Sequence, residues 1–402
     1  MSKESYNINL YNLLMTGSIE DIKKNLLTEI YNVGYYCSRT VGEGYFSKVY
    51  DPIGSVTNIG DNKFMKTVVK EAKNVNGKIY YDDIEDYLII SCDHAMTVEA
   101  IMLFILSKSW YKGQNIHLPF MAGFGCCNTN DPRIVTNIIL EQYGLSKNID
   151  TIDSHDKYIS QPNIHLTHTQ LIKPYLVTIN DLFEYLCVYH DEKYMCKLPN
   201  GEIVYVPEIF DNFVIFYLHT SYFVWINFKM ILGDQHLNNM YVQWLYKNSI
   251  CGKVDISEIE HIYYEIDKNK YIKTNTHKIN FKIGDIGQSI MNVQPKVILV
   301  GDLSYNDILN RIIEIKDKYK TYYDILHNIF GSVPFGIIKE TKYFKYLNSD
   351  NILMSSYVPF VGFSREIYDK VPSQIDILNS DIWEHVEKKE NGSKNFVNYL
   401  HV

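Results

Sequence analysis

The chain alternates between short runs with strand-like patterning and a few longer runs with helical spacing. Residues 1–35 read as helical, with Ser18 and Asp21 able to form a capping box ahead of the apolar run Ile22 to Tyr31. Thr40 to Tyr50 and Asn62 to Lys70 have the alternation of strands, and 74–93 is polar and then β-like, with Asn76-Gly77 as a turn. A helix is expected from Thr97 to Trp110, where Met102, Leu103 and Leu106 follow Glu99 at helical spacing. Leu118 to Gly125 and Thr136 to Gly144 read as two strands and a connector. Polar, irregular residues 145–178 come next, then a short helix from Ile179 to Leu186 and a hairpin over Lys197 to Val206. A buried helix is expected over about 211–230, because the apolar run Phe213 to Leu232 is broken by His219, Thr220, Ser221, Asn227 and Lys229. Met240 to Tyr246 and Lys278 to Ile283 read as the arms of a hairpin, with 247–277 inserted between them. Helical patterning returns at Tyr305 to Tyr319, and a last helix is expected near 380–390.

Composition narrows the class only slightly. At 402 residues the chain can bury one large or two medium cores, and 46% hydrophobic with 21% charged residues is ordinary for a globular protein. The 34 tyrosines, with heavy use of Asn, Ile and Lys, point to AT-rich codons rather than to any chemistry. A formal charge of −8 without a dense basic run argues against nucleic acid or an anionic membrane as the partner. No signal peptide and no uninterrupted apolar run of roughly 18 residues is found, so a soluble cytoplasmic protein without membrane insertion is expected. The cysteines, at 37, 92, 126, 127, 187, 196 and 251, are odd in number and include no Cys-x-x-Cys pair, which fits reduced thiols better than zinc or disulfides. His165 and His168 lack the companions of a metal motif.

Two stretches carry candidate chemistry. Ile231-Leu-Gly-Asp-Gln-His-Leu-Asn-Asn239 puts Asp234 and Asn239 five positions apart in a tight loop between apolar flanks. Phe281-Lys-Ile-Gly-Asp-Ile-Gly287 puts Asp285 between two glycines, straight after an alternating run. Phosphoryl transfer needs such parts: a carboxylate to orient the attacking hydroxyl, and an amide plus a second carboxylate to hold Mg²⁺ against phosphates.

Further motifs precede these in the order that such an enzyme requires. Thr40-Val-Gly-Glu-Gly-Tyr-Phe-Ser-Lys-Val49 resembles the glycine-rich nucleotide loop of protein kinases. Gly42, Gly44, Ser47 and Val49 fill its pattern, with Ser47 in place of the third glycine. Phe281 to Gly287 resembles the kinase metal motif, with Ile286 where Phe is usual. The ordered series, over roughly residues 38–300, resembles a divergent eukaryotic-like protein kinase, and the AT-rich composition resembles kinases of large DNA viruses. The resemblance implies an α+β, bilobal protein-kinase-like fold with a β-rich first lobe and a mainly helical second one, binding ATP and Mg²⁺ between them. It divides the chain into an extension at 1–35, a first lobe at 36–143 and a second at 144–402, with insertions near 145–178, 190–208 and 247–277.

The resemblance also implies residue roles. Lys66 is the phosphate-binding lysine, with Lys70 as the competing register, and Glu99 is its ion-pair partner. The backbone from Glu141 to Tyr143 holds adenine. Asp234 is the catalytic carboxylate, and Asn239 and Asp285 hold the metal. The loop departs from the kinase pattern. Leu232 and Gly233 replace His and Arg, which removes the usual partner of a phosphorylated activation loop. His236 stands where Ser/Thr kinases have Lys, either to assist transfer or only to bond backbone. Gln294-Pro-Lys-Val-Ile298 faintly resembles the close of an activation segment. The expected activity is transfer of the γ-phosphate of ATP to protein hydroxyls of the Ser/Thr kind. A lipid or small-molecule phosphotransferase, suggested by Gly233-Asp-x-His236, and an inactive scaffold are the alternatives.

Overall fold

A computed structural model describes residues 18, 37–43, 47–52, 56–58, 64–66, 68–73, 77–82, 87–92, 96–126, 134–140, 176–185, 187–190, 193–197, 202–232, 237–245, 250–251, 254–287, 289–294, 297–300, 335–342 and 374–401. The architecture among them is mixed α+β, with several small sheets and one long helix. A division into a β-rich and a mainly helical half is not evident. Beyond residue 144 the described residues form more strands than helices.

The first sheet is antiparallel throughout. Its order is Cys37–Glu43, Ser47–Pro52, Val68–Lys73, Ile134–Leu140 and Phe120–Cys126. Met96–Tyr111 follows Gly77–Asp82 and Tyr87–Cys92, two strands of a separate sheet, and packs against Phe120–Cys126. The helix buries Met102, Leu103, Leu106 and Trp110, the spacing that its sequence predicts. It stops at Gly113, whose φ of +68° suits glycine. The Gly113 N–H donates to Trp110 O and the Gln114 N–H to Ser109 O, a Schellman ending that satisfies the last carbonyls.

Val206–Phe228 is the core helix. Pro207 lies in its first turn, where a missing N–H costs nothing, so the helix begins before the expected residue 211. It ends where Lys229 takes a left-handed φ of 48°. Phe210, Phe213, Phe216 and Phe223 are almost wholly buried along it. It is long and apolar enough to cross a membrane, but 72% of its most apolar window is buried inside the protein. Phe335–Glu340 and Gln374–Asn379 pack on it.

The expected hairpin arms are present: Met240–Trp244 pairs with Ile279–Ile283, from Met240↔Ile283 to Trp244↔Ile279. The insertion between them is itself folded. His261–Asp267 and Lys270–Asn275 form a hairpin that continues into the C-terminal strands His385–Val386 and Asn395–Asn398, the latter parallel to His261–Asp267. The helix expected over 380–390 is therefore a correction. Helix Gln374–Asn379 ends there because Ile377 O accepts from both Ser380 Oγ (2.6 Å) and Trp383 Nε1 (3.0 Å), and the chain turns into a strand. The activation-segment reading of Gln294 to Ile298 also changes. Ile290–Gln294 and Val297–Val300 are adjacent antiparallel strands, and the second pairs in parallel with Tyr87–Cys92. The run Tyr305 to Tyr319 and the extension at 1–35, apart from Ser18, lie outside the described residues.

Candidate functional site

The two arms converge on the candidate metal residues. Met240↔Ile283 is their last ladder pair, and beyond it the Gly284 N–H donates to Asn239 O at 3.0 Å. The ladder thus holds Asn239 and the Gly284-Asp285 turn side by side although a folded insertion separates them in sequence. Leu232 and Leu237 are buried at either end of the preceding loop, and Leu237 O accepts from the Asn180 N–H at 3.3 Å. Asp234 and His236, between those anchors, lie outside the described residues.

Asp285 is exposed and has φ of +42°. Aspartate tolerates that region better than most residues, and Lys229, Asn269, His277 and Lys278 adopt it as well, so the conformation marks a turn and not by itself a site. Its neighbours explain the local sequence. A β-carbon on Gly284 would meet the Tyr241 ring, 2.6 Å from Cδ2 and closer still to Cε2, so a side chain there must displace the ring or the turn. A β-carbon on Gly287 would sit 3.4 Å from Glu99 Oε2 and 3.6 Å from Asp285 Oδ1. The Glu99 carboxylate, carried by Met96–Tyr111 and only 1% exposed, therefore faces the same glycine as Asp285. Ile286, between the glycines, is fully buried and anchors the turn.

The remaining residues are placed by register. Gly42 pairs with Val49 on the first hairpin, with Ser47 opposite Ala72. Lys70 lies in the middle of the five-stranded sheet, between Val49 and Asn137. Lys66 lies on a separate two-stranded ribbon, opposite Val56. Gly44, Glu141, Tyr143, His165 and His168 lie outside the described residues; Glu141 follows directly on the strand Ile134–Leu140.

Oxygen donors from one carboxylate and one amide suit Mg²⁺, which keeps waters and takes substrate phosphates as further ligands. A dedicated cage is not needed, and among the described residues no three His, Cys, Asp or Glu cluster to form one.

Beneath the arms lies a buried polar layer that sequence reasoning did not single out. His117 is fully buried, with Nδ1 2.7 Å from Phe281 O and Nε2 2.9 Å from Tyr264 Oη. The carbonyl must accept from Nδ1–H, so Nε2 accepts from the tyrosine hydroxyl. Loss of water holds the imidazole well below its usual pKa. His219, equally buried on the long helix, has Nε2 2.9 Å from Glu265 O and is pushed down to about 4 by burial. The burial of His219 follows from the expected buried helix, whereas His117 stands after the polar pair Gln114-Asn115 and carries no such signal in the sequence. No protein-family model matches the chain, and no curated protein matches it.

Proposed function

We propose that the chain is a phosphotransferase of protein-kinase type, moving the γ-phosphate of ATP to a protein hydroxyl. The observation that carries this reading is the ladder that sets Asn239 against Gly284-Asp285, with the Glu99 carboxylate beside Gly287.

The roles follow from chemistry. Asp234 accepts the proton of the acceptor hydroxyl as its oxygen bonds to the γ-phosphorus; the bond to the β–γ bridging oxygen breaks and ADP leaves. Asn239 and Asp285 supply the amide and carboxylate oxygens that hold Mg²⁺, which when bound neutralises charge on the phosphates. Lys70 is favoured over Lys66 as the phosphate lysine, because its strand lies inside the sheet that bears the Gly42 hairpin. Glu99 orients that lysine. In this reading the first sheet and Met96–Tyr111 form the nucleotide-covering lobe, and the long helix supports the other. Protein Ser/Thr hydroxyls in a cytoplasmic setting are the expected acceptors, with no nucleic acid involved.

The test is phosphate transfer from labelled ATP with Mg²⁺ to protein and lipid acceptors. Wild type should label protein, and Asp234→Ala and Asp285→Ala should each lose roughly a hundredfold or more. Label on lipid alone would reassign the acceptor. No transfer, with ATP binding indifferent to Asp285→Ala, would leave a scaffold instead.

A further inference from the structure

The loop that leaves the Glu99 helix, residues 112–118, is fastened to the strand that leads into Asp285. The Ile283 N–H donates to His117 O at 3.1 Å. Asn280 Nδ2 donates to Ile116 O at 3.2 Å. Lys282 Nζ donates to Ile116 O at 3.1 Å and to Leu118 O at 3.0 Å. Lys282 is only 3% exposed. Removing an ammonium from water is expensive, and an apolar side chain of similar length would fill the same space without that cost. The lysine is therefore an unfavourable choice for packing alone.

Its position supplies a reason. Lys282 lies in the strand Ile279–Ile283, three residues before Asp285 and opposite Tyr241 in the ladder, while its ammonium holds two carbonyls of the segment that continues the Glu99 helix. It therefore spans the seam between the element carrying Glu99 and the pair of arms carrying Asn239 and Asp285. The far side of the loop is secured independently by the C-terminal strand: the Ile116 N–H donates to Asn398 Oδ1 at 2.9 Å, and the Tyr399 N–H to Gln114 O at 3.1 Å.

We propose that Lys282 is a positioning residue for phosphoryl transfer, setting the Glu99 helix against the Asp285 turn by clamping residues 116–118. The inference rests on the phosphotransferase reading for its effect on rate, but the clamp can be measured without it. In the full-length chain, Lys282→Met keeps length and removes the donors; Lys282→Arg keeps charge and donors. Lys282→Met should lower kcat roughly ten- to hundredfold, as expected for misplacement of a reacting constellation, with a smaller change in KM for ATP. Lys282→Arg should restore most of it. Hydrogen exchange at the Ile283 and Gly284 amides should rise several-fold in Lys282→Met and stay unchanged in helix Val206–Phe228.

Wild-type kcat and wild-type exchange in Lys282→Met would overturn the proposal. So would a loss of activity that tracks a loss of stability and is not relieved by arginine, since that marks a purely structural lysine. If the wild type transfers no phosphate, the phosphotransferase reading fails by itself. The two amides then decide the clamp: faster exchange supports it, unchanged exchange overturns it. Should Lys282→Met not fold, Lys282→Gln, which keeps one donor group, takes its place in the same comparison.

Discussion

Gly284→Ala tests the geometry of the turn most directly. Gly284 is not in the left-handed region, so alanine meets no backbone penalty there. The obstacle is steric: the new methyl would lie 2.6 Å from Tyr241 Cδ2 and nearer to Cε2. Tyr241 is itself fixed, because its backbone pairs with Lys282 in the ladder. Either the ring rotates away or the Gly284-Asp285 turn shifts. Overpacking of this kind costs about 1–3 kcal/mol. Urea unfolding followed by circular dichroism should show that loss for Gly284→Ala. Tyr241→Ala removes the obstructing ring, so in that background the same methyl should cost far less, giving a coupling of about 1–2 kcal/mol in a double-mutant cycle. Phosphate transfer should fall in Gly284→Ala and recover in part in the double variant as the turn relaxes. An alanine at 284 that costs nothing, or that costs the same with and without the Tyr241 ring, would refute the reasoning.

Two further outcomes follow from the placement of other residues. Lys70→Ala should reduce transfer roughly a hundredfold or more while Lys66→Ala stays near wild type, because only Lys70 lies in the sheet of the glycine-bearing hairpin; steady-state kinetics decides, and the reverse ranking restores Lys66. Stability should fall on acidification: His219 is depressed from 6.5 to about 4 in the fold, so the unfolded chain binds the extra proton, and stability present above pH 6.5 is lost as pH falls toward about 4. That difference corresponds to roughly 3 kcal/mol, and burial of His117 acts with the same sign. His219→Gln can still donate to Glu265 O but does not titrate, so its urea midpoint should change less between pH 7.5 and 5; an equal slope would rule out His219 as the source.

The parts of the site that the sequence reveals are those fixed by local chemistry. Alternation predicts the arms around Asn239 and Asp285, but for an unforeseen reason: Ile279–Ile283 is buried on both faces, and its polar positions Asn280 and Lys282 share the face that bonds residues 116–118. Helical spacing after Glu99 predicts Met96–Tyr111 within a residue at either end. Lys66 against Lys70 is different: both stand in one alternating run, and only pairing with Ser47–Pro52 shows which belongs to the sheet. That Phe64–Lys66 and Val68–Lys73 belong to different sheets leaves no mark in polarity. The strand partners of Tyr87–Cys92 and Asn395–Asn398 are equally silent, since parallel pairing between segments far apart in the chain depends on tertiary packing.

The arms tolerate so long an insertion because of where it leaves them. Its ends meet at a ladder pair, Trp244↔Ile279, and the Leu245 N–H donates to Lys278 O at 2.8 Å, so the insertion leaves and returns at one point. A loop closed in that way adds little entropy cost to the arms. What it adds is a second fastening. The inserted hairpin pairs with Asn395–Asn398, and the Leu400 N–H donates to Glu265 Oε2 at 2.9 Å. Asn227 Nδ2, from the long helix, donates to Leu400 O at 2.9 Å. The segment from Asn395 to Leu400 therefore joins the insertion, the core helix and the loop after Glu99. The departure from a short hairpin thus supplies the edge, His261–Asp267, on which Asn395–Asn398 pairs in parallel, and through Asn398 and Tyr399 that pairing fixes the loop after Glu99.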